Sequence, residues 1–97
     1  MYEIKYHPLV EADLKELNHS VRLEVFKKLK KIQQTPEIGK PLGNKNNMNL
    51  TGLFKVYVAK KQVRIVYEII ENILVVKVIA IGKRESMEVY KQADERR

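Results

Sequence analysis

Cysteine is absent from the sequence, and histidine occurs only twice. Without cysteine the chain can form neither disulfide cross-links nor thiolate metal sites. A chain without cysteine is compatible with the reducing cytosol, so we expect a cytoplasmic protein.

Long hydrophobic runs are absent as well. The apolar runs at 73–76 and 78–81 contain four residues each, whereas a membrane-spanning helix needs about 18. The amino-terminal sequence MYEIKYHP does not have the features of a signal peptide. We therefore expect a soluble protein with no membrane partner.

The length and composition fit one folded unit. With 97 residues, of which 44% are hydrophobic, the chain is long enough for one compact core and too short for two. We predict a single domain over residues 1–97.

Positive charge is concentrated in the middle of the chain. The net charge is +7, and residues 25–67 contain ten Lys or Arg against one Glu. A field of this kind attracts a polyanion or an acidic protein segment. The alternative is a solvated helix face, which would account for the cluster Lys27, Lys28, Lys30 and Lys31.

Hydrophobic spacing predicts a short first strand at 2–6 and two amphipathic helices at about 8–17 and 20–34. The helices are separated by Asn18, His19 and Ser20, which include good capping residues; one longer kinked helix is the alternative. Residues 35–52 are rich in Pro, Gly and Asn and predict a long connection.

Three strands are predicted next, at about 53–59, 62–70 and 73–81, joined by tight turns at 60–61 and 71–72. A final short helix is expected at about 85–94. The order β-α-α-β-β-β-α predicts an α+β fold in which the first two helices cover one face of the sheet.

The two-residue turn at 60–61 places Tyr57 opposite Arg64. One face of the hairpin is then apolar and meets the helices, and the other carries Lys55, Tyr57, Gln62, Arg64 and Glu68. Continued into the next strand, the same parity places Lys77 opposite Val66 on the polar face and puts Leu74, Val76, Val78 and Ala80 in the core. A face kept polar for solubility, with Tyr57 and Arg64 as a stabilising cross-strand pair, is the structural alternative.

More functional groups follow the last strand. Lys83 and Arg84 come directly after it, and Tyr90 lies one to two helical turns further on. If the final helix folds back along the polar face, these groups join Arg64. Clustered cations bind phosphate and lower the pKa of a neighbouring phenol or amine, and such a set serves the cleavage of RNA by its own 2'-OH without an obligatory metal.

Other catalytic motifs are missing from the sequence. There is no Gly-rich phosphate loop and no HExxH motif. His7 and His19 are expected to cap helices or lie on the surface, and Glu68 is expected to pair with Lys77 or Arg64. We therefore expect neither a metal nor another cofactor.

The segments TPEIGKPL, LTGLFKVYV, VRIVYEI and VIAIGKRESMEVYKQA make the chain resemble the RelE toxins of the RelE/ParE toxin-antitoxin superfamily. The resemblance covers nearly the whole chain. It implies an α+β fold with an antiparallel sheet, and metal-free cleavage of mRNA in the ribosomal A site by 2'-OH attack. It also implies an acidic antitoxin as the protein partner, with mRNA and the ribosome as the other partners.

The resemblance also implies roles for individual residues. Lys55 and Arg64 would stabilise the phosphorane, Arg84 would assist the leaving oxygen, and Tyr90 would stack on or activate the attacking nucleotide. Arg84 and Tyr90 are expected to lie outside the core. Tyr57 stands where relatives carry a second lysine, and we expect it to take a catalytic role. The lysines assigned to RNA and ribosome binding are Lys27, Lys31, Lys60, Lys61 and Lys83.

Two other functions remain open. A ParE-like gyrase inhibitor would use the same scaffold for binding instead of catalysis. A helix-turn-helix DNA reader would use the first two helices, but the cations of the second helix lie toward its end, whereas recognition helices read bases mainly from their amino-terminal side.

Overall fold

The computed structural model describes residues 2–45, 48–83 and 88–96. The helices in these ranges are α1 (Val10–Lys15), α2 (His19–Gln34) and α3 (Glu88–Arg96), and the strands are β1 (Glu3–Tyr6), β2 (Lys40–Pro41), β3 (Asn44–Lys45), β4 (Met48–Asn49), β5 (Leu53–Val58), β6 (Val63–Ile70) and β7 (Val75–Lys83). The predicted α+β class is confirmed. The short strands β2 to β4 lie in the connection 35–52 and were not predicted.

The first two helices are separate, as the capping residues predict. The Oδ1 atom of Asn18 accepts a hydrogen bond from the backbone N–H of Val21 at 3.0 Å, which starts α2. Val25, Leu29 and Ile32 are buried along one face of α2. Within the described ranges, no helix combines the length and the hydrophobicity that crossing a bilayer requires.

The main sheet has five strands in the order β1-β7-β6-β5-β2. β5, β6 and β7 form an antiparallel meander, whereas β1 pairs with β7 in parallel. The sheet is therefore mixed, and the expected antiparallel arrangement holds for every strand pair in it except β1 with β7. The hydrophobic pattern of a four-residue strand does not specify its neighbour, which is why this pairing was not predicted.

The hairpin of β5 and β6 has the predicted register, with Tyr57 opposite Arg64 and Val58 opposite Val63. The backbone N–H of Gln62 donates to the carbonyl of Ala59 at 3.0 Å and closes the turn. Ala59, Lys60 and Lys61 all have positive φ angles, which L-residues adopt at a local energy cost.

The predicted register between β6 and β7 is wrong. The connecting turn spans four residues, 71–74, because Ile70 pairs with Val75, and Leu74 is exposed in a left-handed conformation instead of buried. Lys77 lies opposite Glu68, and Ala80 takes the place opposite Val66 that was predicted for Lys77.

A β-bulge at Ile79 adds a second change in β7. Tyr67 pairs with Val78 and Val66 pairs with Ala80, so Ile79 has no partner on β6. An extra residue reverses the face on which later side chains lie. Val76 and Val78 join the core below α1 and α2 as predicted, whereas Ala80 lies on the opposite face.

Buried residues form two clusters, one on each face of the sheet. The first lies under α1 and α2 and contains Val10, Leu17, Val25, Leu29, Ile32, Val58, Val63, Ile65, Tyr67, Val76, Val78 and Ile81. The second lies under α3 and contains Leu42, Leu50, Leu53, Val66, Ile79, Ala80, Val89, Tyr90 and Ala93. The predicted polar face is therefore partly apolar: Val66 and Ala80 are buried on it, while Arg64, Glu68 and Lys77 are polar residues of the same face.

Candidate active site

Lys55 and Tyr57 form the first part of the candidate site. They are two residues apart on β5, so both side chains lie on the same face of the sheet. The Nζ atom of Lys55 donates a hydrogen bond to the hydroxyl of Tyr57 at 3.1 Å. The same Nζ atom lies 5.1 Å from the centre of the Tyr57 ring, and both residues are half-buried.

Arg64 lies between two aromatic rings. Its Cζ atom is 5.6 Å from the centre of the Tyr57 ring and 4.7 Å from the centre of the Tyr90 ring. Both distances are within cation–π range. The buried Nε and Nη1 atoms of Arg64 have no hydrogen-bond partner among the described residues, and buried donors of this kind are typical of a site that a ligand completes.

Tyr90 reaches Arg64 because α3 packs on the sheet, which is the condition that the sequence left open. The expectation that Tyr90 lies outside the core is wrong, since its side chain is only 1% exposed and belongs to the second cluster. Close packing of α3 is possible because residue 82 is glycine: a Cβ atom at Gly82 would lie 3.0 Å from the Cβ of Val89.

The cations around Tyr57 change its acidity. The hydrogen bond from Lys55 is the main cause that lowers the pKa of Tyr57 to about 8 from the usual value of 10.0, and the charges of Lys55 and Arg64 act in the same direction. The deprotonated form is favoured because it accepts a charge-assisted hydrogen bond. Tyr57 is therefore a better proton acceptor near neutral pH than an ordinary tyrosine.

The lysines assigned to RNA binding line two grooves that share Lys60. A groove of about 300 Å³ beside Tyr57 is lined by cations of α2 and of the β5–β6 turn, namely Lys27, Lys28, Lys31 and Lys60. Glu24 also lines this groove. A groove of about 670 Å³ between the α1–α2 connection and the same turn includes Lys60, Lys61 and Lys83. Lys28 was not assigned to the site from the sequence, although its place one residue after Lys27 on α2 is a usable signal.

Some predicted groups lie elsewhere. Arg84 lies outside the described residues. The Nδ1 atom of His7 accepts a hydrogen bond from the backbone N–H of Leu9 at 3.1 Å, in the turn before α1; α1 itself has no side-chain cap from any residue that the structure describes. His19 is exposed at the start of α2. In the described part of the chain, no three His, Asp or Glu side chains come together as a set of metal ligands.

Known proteins resemble this chain in both sequence and fold. Residues 4–87 match the family model described as the ParE toxin of the type II toxin-antitoxin system parDE. The mRNA interferase toxin RelE of Escherichia coli K12 is 34% identical over 95 residues, which cover 98% of this chain and 96% of that protein. The mRNA interferase RelE of Shigella flexneri gives the same values.

Solved structures agree with the sequence comparison. An arginine-substituted variant of E. coli RelE in the free state has a TM-score of 0.76 and 29% identity, covering 98% of this chain and 96% of that one. RelE in the intact E. coli RelBE toxin-antitoxin complex has a TM-score of 0.71 and 26% identity, covering 89% of this chain and 100% of that one. These comparisons show that the chain is a toxin of the type II toxin-antitoxin class. Within that class, the chain belongs to the RelE/ParE toxin family.

Proposed function

We propose that this protein is a single-domain cytoplasmic toxin that cleaves mRNA in the ribosomal A site and so inhibits translation. The observation that carries the proposal is the guanidinium of Arg64, held between the rings of Tyr57 and Tyr90 next to Lys55. The two named mRNA interferases that match nearly the whole chain support the same activity.

The first step is the capture of the scissile phosphate by Arg64. Its contacts with the rings of Tyr57 and Tyr90 restrain the guanidinium, and its N–H donors bind phosphate oxygens as a planar fork. The ammonium group of Lys55 adds a second positive charge beside the phosphorane as negative charge develops on it. The protein groups therefore supply charge stabilisation without requiring a metal ion.

Proton transfer completes the reaction. The phenolate of Tyr57 accepts the proton of the 2'-OH, the O2' atom bonds to phosphorus, and the bond from phosphorus to O5' breaks. By family resemblance, Arg84 assists the departing O5', which takes up a proton from water, and Tyr57 then releases its proton to the solvent. The products are an RNA end with a 2',3'-cyclic phosphate and an RNA end with a free 5'-OH.

The role of Tyr90 differs from the one inferred from resemblance. Its ring is buried and packs on Arg64, so it is not exposed for stacking on an RNA base. We assign it to orienting the guanidinium. The two grooves that share Lys60 are proposed to bind phosphates of the mRNA and of ribosomal RNA. Their lysines extend the positive surface beyond the active site.

Primer extension on mRNA from a translating extract tests the proposal. The wild-type protein should produce cuts only on ribosome-bound mRNA, and Arg64→Lys should reduce cleavage by about 10–100-fold because lysine keeps the charge but loses the planar fork. Arg22→Lys, on α2, is the matched control and should cleave normally. Equal cleavage by Arg64→Lys and wild type would contradict the assignment of Arg64.

Gyrase inhibition is the second candidate function, because the family model that matches is that of a ParE toxin. A supercoiling assay run beside the primer extension distinguishes the two. Loss of supercoiling without mRNA cuts would assign the chain to gyrase, and cuts without an effect on supercoiling would assign it to mRNA.

An acidic antitoxin is the proposed protein partner. The ten-to-one excess of cations over carboxylates in residues 25–67 supports it, as does the likeness to RelE in the RelBE complex. Such a segment would cover the lysine grooves or displace α3.

A further inference from the structure

A buried ion pair joins α1 and α3 at the bulge of β7. The Nη1 and Nη2 atoms of Arg96 donate to the Oδ2 and Oδ1 atoms of Asp13 at 2.6 and 2.9 Å. The side chains of Arg96 and Asp13 are only 9% and 7% exposed. Asp13 belongs to α1 and Arg96 is the last residue of α3, so the pair links two helices on opposite faces of the sheet.

The same two side chains also complete the hydrogen bonding of β7. β1 pairs with β7 only as far as Val78, and the bulge leaves Ile79 without a partner on β6. Beyond that point the carbonyl of Ile79 accepts from Nη1 of Arg96 at 3.0 Å, and the N–H of Ile81 donates to Oδ2 of Asp13 at 3.1 Å. Unpaired backbone groups in this buried position would be costly.

The geometry of the ion pair restrains the position and orientation of α3. A two-point contact between a guanidinium and a carboxylate restrains orientation as well as distance. Tyr90 lies six residues before Arg96, which is about 9 Å along the helix. α3 is thereby attached at its end to α1 and β7, while Tyr90, nearer its start, packs on the guanidinium of Arg64.

We propose that Asp13 and Arg96 are positioning residues for the nuclease site. They hold α3 in the register that places the ring of Tyr90 against Arg64, and so they keep the phosphate-binding fork in its working orientation. The effect on cleavage rests on the proposed function, whereas the effect on α3 and Arg64 does not.

The test compares Arg96→Met with Lys91→Met, which removes one positive charge from an exposed position of the same helix. Two structural readouts are used: the NMR shift of the Arg64 Nε–H, which the Tyr90 ring current perturbs, and amide exchange in α3 and α2. In Arg96→Met the Arg64 signal should move, and α3 amides should exchange about tenfold faster or more while α2 amides do not change. Lys91→Met should match wild type in both readouts.

Kinetics on programmed ribosomes supply the functional readout. Arg96→Met should lower the single-turnover cleavage rate about tenfold or more. The ribosome concentration that gives half of the maximal rate should stay within about twofold of wild type, because the variant misplaces the guanidinium of Arg64 without removing a surface contact. Arg96→Lys, which restores the charge without the two-point geometry, should recover only part of the rate. Asp13→Asn should act in the same direction as Arg96→Met.

Two results in Arg96→Met would contradict the positioning role of the ion pair. An unchanged Arg64 signal with unchanged α3 exchange in Arg96→Met would overturn the proposal. Equal acceleration of α2 and α3 exchange would also overturn it, because the pair would then stabilise the whole fold without positioning α3. If the wild-type protein cuts no mRNA, the proposed function fails, and the Arg64 signal and α3 exchange still decide whether the pair holds α3.

Discussion

At the scale of single residues, the guanidinium of Arg64 is in contact with two aromatic rings. Its Cζ atom lies within cation–π range of both Tyr57 and Tyr90, and a planar guanidinium binds an anion through its N–H groups. A lysine at the same position would have one rotatable ammonium group and no plane to restrain. The chemistry therefore depends on the shape of the cation as well as on its charge.

The contact of Tyr90 leads to a prediction that separates its ring from its hydroxyl. Tyr90→Phe keeps the ring on Arg64 and should retain cleavage within about tenfold, whereas Tyr90→Leu should lose about 100-fold because the guanidinium is no longer held. Cleavage rates on programmed ribosomes, with circular dichroism to check folding, provide the measurement. A larger loss in Tyr90→Phe than in Tyr90→Leu would assign the function to the hydroxyl instead.

The lowered pKa of Tyr57 predicts the pH dependence of cleavage. The deprotonated phenol accepts the proton, so the rate should rise with pH up to about 8, the pKa of Tyr57, and level off above it. Tyr57→Phe should lower the rate about 100-fold and abolish this rise. Tyr6→Phe, at an exposed tyrosine of β1, is the control and should keep the wild-type profile. A rise that persists in Tyr57→Phe would point to another base.

At the scale of elements, the turn after α2 packs directly against β5 and β6. The hydroxyl of Tyr67 donates to the carbonyl of Pro36 at 2.6 Å, and burial raises the pKa of Tyr67 to about 12. A Cβ atom at Gly39 would overlap the Tyr67 hydroxyl and lie 3.1 Å from the carbonyl of Lys55. Glycine at 39 thus lets this turn pack beside the strand that carries Lys55.

This close approach predicts the effect of a small substitution. Gly39→Ala should lower the free energy of unfolding by about 1–3 kcal/mol, because the added methyl group overpacks a buried contact. In a Tyr67→Phe background the same change should cost less, since the overlapping hydroxyl is gone. Urea denaturation of the four proteins measures the coupling. Equal costs in both backgrounds would show that the hydroxyl is not the source of the clash, since the ring carbon 2.8 Å from the added Cβ remains in phenylalanine.

At the scale of the whole molecule, cations from two separate parts of the basic block of residues 25–67 line one groove. Cations of α2 and of the β5–β6 turn meet around the groove beside Tyr57, although they are about 30 residues apart in the sequence. The summed charge of such a surface increases the rate of association with a polyanion more than it strengthens any single contact.

Salt dependence should report this surface. Binding to programmed ribosomes should weaken by at least about tenfold between about 50 and 500 mM salt, because exposed charges are screened. Lys27→Glu combined with Lys31→Glu should weaken binding and flatten the salt dependence, while Lys15→Glu on α1 should have little effect. Affinity that does not change with salt would argue against an electrostatic interface.

Local patterns in the sequence predict the features that depend on neighbouring residues. The stripe of α2, the Asn18 cap and the pairing of Tyr57 with Arg64 follow from helical spacing, capping chemistry and strand alternation. These signals repeat over a few residues, so they are readable without the fold.

Three features follow from tertiary packing and not from local patterns: the bulge at Ile79, the burial of Tyr90 and the pairing of Asp13 with Arg96. Each depends on how α3 packs on the sheet, and the hydrogen bonds of Asp13 join residues 68 and 83 positions apart. No local period encodes contacts over such separations, because they form only when the packed elements leave a buried polar group to be satisfied.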